Sequence, residues 1–250
     1  MIHSFLMIGQ SNMAGRGLRN EAIPVDTSHI KVLRNGRWQP MYRPVNNDRQ
    51  AAGVSLAESF AEQYAKTYGV DVGLIPCADG GTCLEQWKPG SILFDHAVFQ
   101  AKLAARTSTI VGILWHQGEG DCDTASFTTY QERFERMIAS LRAQLDLPDV
   151  PVLVGGLGDF LIDCPLFDTL KNYGEVNQAL KSVAAADPSI GFVPAEGLTS
   201  NPDLLHFNSK SLHEFGKRYF DVYQTLRADN TVIEQKPLET DTAHSEMERL

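Results

Sequence analysis

Phe5-Leu6-Met7-Ile8-Gly9-Gln10-Ser11-Asn12-Met13 decides how this chain is read. An unbroken apolar run suits a strand covered on both faces, and the glycine marks a sharp change of direction at its end. A single serine follows at once. A serine hydroxyl is a poor nucleophile until a base removes its proton, but the end of a strand is a place from which it can be presented. Amides at the start of a following helix could also meet developing negative charge. Taken by itself, the segment reads equally well as an ordinary serine N-cap.

The rest of the chain repeats the strand–helix alternation. Short aliphatic or β-branched runs bounded by turn residues predict strands at 3–8, 71–75, 109–115, 150–155 and 190–194. Apolar residues at spacings of three and four predict helices at 55–68, 127–145 and 209–226, with further helices near 95–106 and 173–186. Ser211 and Glu214 fit a capping box for the last long helix. Alternation of this kind implies a parallel sheet covered on both faces, with ligands expected at the carboxyl ends of the strands. The stretch 16–49 is long and irregular, an expected excursion beside the pocket with a small hairpin near 31–39. Residues 229–250 are polar and mix both charges, so we expect one domain over 1–228 and a polar C-terminal extension over 229–250.

Three more segments carry chemistry. Gly80-Gly81-Thr82-Cys83-Leu84-Glu85-Gln86-Trp87 follows a strand, and paired glycines let a backbone amide approach a ligand closely. Trp115-His116-Gln117-Gly118-Glu119-Gly120-Asp121 follows the next strand and offers an amide side chain and two carboxylates. Asp203-Leu204-Leu205-His206 precedes the last helix and would supply a base and the acid that orients it. Each alone also reads as a turn, a loop or a helix cap.

In this chain order, the pattern GQSNM, GGTxLxxW, WHQGExD and DxxH resembles the SGNH (GDSL-like) hydrolase superfamily. Within it, the pattern is similar to the carbohydrate esterases that include acetylxylan esterases and sialate O-acetylesterases. The resemblance implies a flavodoxin-like three-layer α/β/α fold with a five-stranded parallel sheet. It implies Ser11 as nucleophile, His206 as base and Asp203 as its orienting acid. It further implies an oxyanion hole from the amides of Ser11 and of Gly80 or Gly81, with the Gln117 side chain. Gln10, Asn12, Trp87 and Glu119 are the candidate substrate contacts, and Trp87 and Trp115 are the aromatics that could stack on a sugar. Arg16 reads as a surface arginine or a contact for an acidic sugar. The expected reaction is removal of acetyl groups from acetylated sugars, of acetylxylan or xylo-oligosaccharide type, through an acyl-enzyme. The alternatives are a sialate O-acetylesterase, a small-ester or thioester hydrolase of the same superfamily, and an inert carbohydrate-binding protein.

The resemblance implies a small-molecule or oligosaccharide acetyl ester as the substrate, and composition bears on other partners. The 250 residues are 43% hydrophobic and 21% charged, with a formal net charge of −9, which disfavours nucleic acid and anionic membrane as partners. No apolar run approaches the ~20 residues of a membrane span, and a strand beginning near His3 leaves no room for a signal peptide, so a cytoplasmic location is expected. Cys77, Cys83, Cys122 and Cys164 form no C-x-x-C pair and read as reduced thiols. No cofactor is expected. His116, Glu119, Asp121, Asp123, Asp203 and His206 are possible metal ligands, but without H-E-x-x-H or a comparable cluster no metal site is expected either.

Overall fold

A computed structural model describes residues 1–229. Its strands are β1 (Ile2–Gly9), β2 (Ile30–Arg34), β3 (Arg37–Pro40), β4 (Asp71–Pro76), β5 (Thr109–His116), β6 (Val152–Gly155) and β7 (Ile190–Val193). Its helices are α1 (Ser11–Ala14), α2 (Leu56–Tyr68), α3 (Ile92–Ala104), α4 (Thr124–Phe127), α5 (Tyr130–Leu145), α6 (Tyr173–Ala186) and α7 (Ser209–Asp229). The strands form one sheet in the order β3-β2-β4-β1-β5-β6-β7, in which only the β2–β3 pair is antiparallel.

Side-chain alternation along β1 shows how the sheet builds two cores. Leu6 and Ile8 point into one, with Ile75, Ile113, Trp115 and Val154 and the apolar faces of α3, α5 and α6. Phe5 and Met7 point into the other, with Val72, Leu74, Leu114 and Leu153 and the faces of α2 and α7. Both faces are covered, so the strands are apolar throughout rather than alternating. This is the three-layer α/β/α arrangement of the SGNH hydrolases. β1 is central, and the chain leaves it toward β4 on one side and β5 on the other. That reversal opens a crevice at its carboxyl end, where Ser11 stands.

The sheet has seven strands rather than the five expected. The hairpin near 31–39 is not a separate ornament: β2 pairs with β4 in parallel register, Ile30 beside Val72 and Val32 beside Leu74. Asn35 and Gly36, with φ of 51° and 74°, turn the chain back into β3, the turn chemistry of a tight hairpin. Two smaller expectations change as well. The predicted helix 127–145 is interrupted after α4 and resumes as α5. The cap of α7 is Asn208, whose Oδ1 accepts the Ser211 amide at 2.9 Å, while Ser211 Oγ accepts from the Thr199 amide instead of forming a box. The predicted extension 229–250 lies outside the described residues but for Asp229, which ends α7. Among the described residues no helix is long and apolar enough to cross a membrane.

Candidate active site

Gly9 explains why the serine turn sits where it does. Its φ is +127°, and a Cβ there would fall 2.1 Å from the His116 carbonyl oxygen. Only glycine lets the ends of β1 and β5 close to this distance. The Gln10 amide then donates to that same carbonyl at 2.9 Å. Gln10 takes the N-cap position of α1, and Ser11 is its first helical residue rather than the cap.

The chain returns to this point 195 residues later. His206 Nε2 lies 3.0 Å from Ser11 Oγ, and His206 Nδ1 lies 2.7 Å from Asp203 Oδ2. Asp203 folds its own loop: Oδ1 accepts from the amides of Leu205 and His206 at 2.9 and 3.0 Å. Partial burial pushes the Asp203 carboxyl up, but hydrogen bonds from the His206 amide and ring outweigh it, and the net effect lies below the ordinary value. An ionised carboxylate only accepts, so Nδ1 carries the hydrogen facing Asp203. In the neutral ring this leaves Nε2 as an acceptor for the Ser11 hydroxyl.

Asn12, expected as a substrate contact, is instead wholly buried structure. Its Oδ1 accepts from the Phe207 amide at 3.1 Å, and its Nδ2 donates to the Leu205 carbonyl at 3.3 Å. It therefore grips the backbone on both sides of His206. Nδ2 also donates to Glu119 Oε1, which fixes which way the amide faces. Glu119 is thereby spent inside the protein, its side chain 4% exposed, and does not reach out to a substrate hydroxyl. Gln10 is buried too, and its Oε1 accepts from the Gly120 amide at 3.4 Å.

Gln117 also differs from expectation. Its Nε2 donates to Asp121 Oδ2 at 2.7 Å and to the Thr82 carbonyl at 3.2 Å, and its Oε1 accepts from Tyr130 at 3.0 Å. With both amide hydrogens engaged, it fastens one loop to the other and has none left for an oxyanion. Asp121, which the sequence offers as a loop-ordering residue, a contact for a substrate hydroxyl or a metal ligand, is the hub of this loop: it also accepts from the Leu84 amide at 2.7 Å and pairs with Arg133 at 3.0 Å. Trp87 is 1% exposed. Its Nε1 donates to Thr82 Oγ1, and its ring meets Trp115 edge-to-face, so neither tryptophan stacks on a sugar. His116 is fully buried and donates from Nε2 to the Gly156 carbonyl at 3.2 Å; burial holds its pKa down against the opposing pull of Glu119.

The two glycines separate. The Gly80 amide donates to Asp48 Oδ2 at 2.8 Å. The amides of Ser11 and Gly81 take no partner among the described residues. A Cβ on Gly80 would sit 3.4 Å from Ser11 Cβ, so this loop lies directly against the serine. Arg16 is not a surface residue: it is buried and pairs in bidentate fashion with Asp48, at 2.6 and 3.1 Å. Nothing in the sequence marks Asp48, because what it binds on the loop is a backbone amide. Among the described residues no three His, Cys, Asp or Glu side chains are grouped to hold a metal ion.

A three-layer sheet with a cleft at the end of its first strand is the fold of the SGNH hydrolases. The chain is a member of the carbohydrate esterase, sialic acid-specific acetylesterase family, whose model matches residues 1–225. It is 27% identical over 246 residues to a probable carbohydrate esterase of Arabidopsis thaliana, covering 88% of this chain and 89% of that protein. A crystal structure of an Arabidopsis thaliana protein superposes with a TM-score of 0.79 at 25% identity, over 89% of this chain and 98% of the other. NanS gives a TM-score of 0.70 at 16% identity, with 92% and 98% covered. XAC1771, a carbohydrate acetylesterase from Xanthomonas citri, gives 0.67 at 17% identity, with 92% of this chain and 57% of that one covered. The last two likenesses concern the fold.

Proposed function

We propose that the protein is a serine O-acetylesterase acting on acetylated sugars through an acyl-enzyme. The observation that carries this reading is the chain of contacts from Asp203 through His206 to Ser11, at 2.7 and 3.0 Å. Ser11 Oγ attacks the acetyl carbonyl as His206 Nε2 takes its proton. Asp203 holds the ring tautomer and stabilises the imidazolium. The carbonyl oxygen, now negative, meets the unengaged amides of Ser11 and Gly81. When the tetrahedral species collapses, the sugar alcohol departs with the proton from His206. Water then attacks the acetyl-serine, giving up a proton to the same imidazole, and acetate leaves.

Acetylated xylo-oligosaccharides are the first substrate class in this reading and O-acetylated sialic acids the second; the family description favours the second. Acetate release from each, with short aryl acetates as a reference, decides between them. The same assay with Ser11→Ala tests the chemistry, together with labelling of wild-type Ser11 by an organophosphonate. A variant that still turns over, or a wild-type serine that resists the phosphonate, would overturn the assignment.

A further inference from the structure

We propose that residues 46–49 form a strap that sets the direction of the Gly81 N–H, and so positions the oxyanion site. The proposal rests on the acyl-enzyme reading above. The strap is zipped to the loop after β4. Asn46 Nδ2 donates to the Ala78 carbonyl and its Oδ1 accepts from the Ala78 amide, each at 3.0 Å. Asp48 Oδ2 accepts from the Gly80 amide at 2.8 Å. Arg49 Nη2 donates to the Gly80 carbonyl at 3.0 Å, while Nη1 reaches Asp79 Oδ1 at 2.7 Å and the Asp48 carbonyl at 2.9 Å.

Gly80 therefore has its amide and its carbonyl both held, by adjacent residues of one strap. The peptide that joins it to Gly81 is trans, and a trans peptide points its carbonyl and its N–H to opposite sides. A fixed Gly80 carbonyl thus fixes the direction of the Gly81 N–H. The strap is anchored in turn by Arg16, which lies two residues beyond α1 and grips Asp48 with both terminal nitrogens. This ion pair ties the serine turn to the strap, and Asp48 carries the link on to the Gly80 amide. The guanidinium also lies close against Gly80, where a Cβ would come within 2.3 Å of Arg16 Nη2. Asp48 and Arg49 are positioning residues in this scheme: they act through the Gly80–Gly81 peptide.

The full chain, assayed for 4-nitrophenyl acetate hydrolysis and thermal midpoint, tests this. Arg49 is half exposed, so Arg49→Ala should fold normally. We expect its kcat to fall about tenfold with KM changed less than about twofold, a fraction of the loss from deleting an oxyanion donor outright. Arg49→Lys should recover most of kcat, because an ammonium still donates to the Gly80 carbonyl. Asp48→Asn should lose kcat in the same way. If Ser11→Ala is dead while Arg49→Ala and Asp48→Asn both keep kcat within about twofold of wild type, the strap proposal alone is overturned. The same holds if Arg49→Lys is no better than Arg49→Ala, or if the losses follow the unfolded fraction. An active Ser11→Ala would remove the serine reading and this proposal with it.

Discussion

The turn that carries Ser11 and the loop that carries Asp203 and His206 are held in opposite ways. The first is welded into the sheet: Gly9 touches β5, and Gln10, Ser11 and Asn12 are all buried. The second stands half in solvent, with the Asp203 side chain 39% exposed and that of His206 18%. It is shaped largely by its own acid and by the grip of Asn12. In the proposed mechanism the nucleophile, whose oxygen must not move, stands at the end of a strand, and the base, which must gain and lose a proton, stays near water. The difference predicts that substitutions at the buried end cost stability as well as activity, and that those in the loop cost chiefly activity.

Ser11→Ala is the exception within the buried end, because it removes one oxygen and leaves the turn intact. Turnover should drop by on the order of 10⁵-fold or more with little change in thermal midpoint; a large drop in midpoint would mean the hydroxyl is structural. Asp203→Asn comes next, with kcat down by roughly 10²–10⁴, since the imidazole loses its correct tautomer, and with a small drop in midpoint at neutral pH. Equal activity in that variant would remove the acid from the scheme. Asn12→Ala couples the two regions. Losing its grip should lower kcat about tenfold and also cost about 2 kcal/mol in denaturant unfolding, from buried partners left unpaired. A stability loss with native kcat would make Asn12 a core residue only.

The smallest effect is in pH. The Asp203 carboxyl is held below its ordinary value in the folded protein. Its stabilising contribution is present above the ordinary carboxylate pKa and is lost as pH falls through the depressed one. The gap in thermal midpoint between wild type and Asp203→Asn should therefore narrow below about pH 4. A gap that does not change with pH would show that the charge on Asp203 contributes nothing to the loop.

What the sequence discloses here divides along the same physical line. Unbroken apolar runs and turn residues located β1, β4, β5, β6 and β7 to within a residue or two, and the predicted helix 173–186 coincides with α6. β2 was visible as part of a hairpin. Its place at the edge of β4 depends on a non-local pairing that periodicity does not carry. Motif spacing marked the loops that converge on Ser11, since strand ends gather at one rim of a parallel sheet. It did not show how each polar side chain is spent. Asn12, Gln117 and Glu119 look like ligands in one dimension, but burial obliges each to find a partner inside the protein. Trp87 looks like a sugar platform until its indole is seen packed against Trp115.

The strap at 46–49 is fastened mainly through backbone. Its grip on the loop after β4 falls largely on main-chain atoms, at Ala78 and Gly80. Main-chain atoms are the same whatever residue bears them, so most of this clasp leaves no second side chain to change in step with the first. Methods that search for paired substitutions would be nearly blind to it, and a designer transplanting the glycine loop would have to carry its distant fastening along.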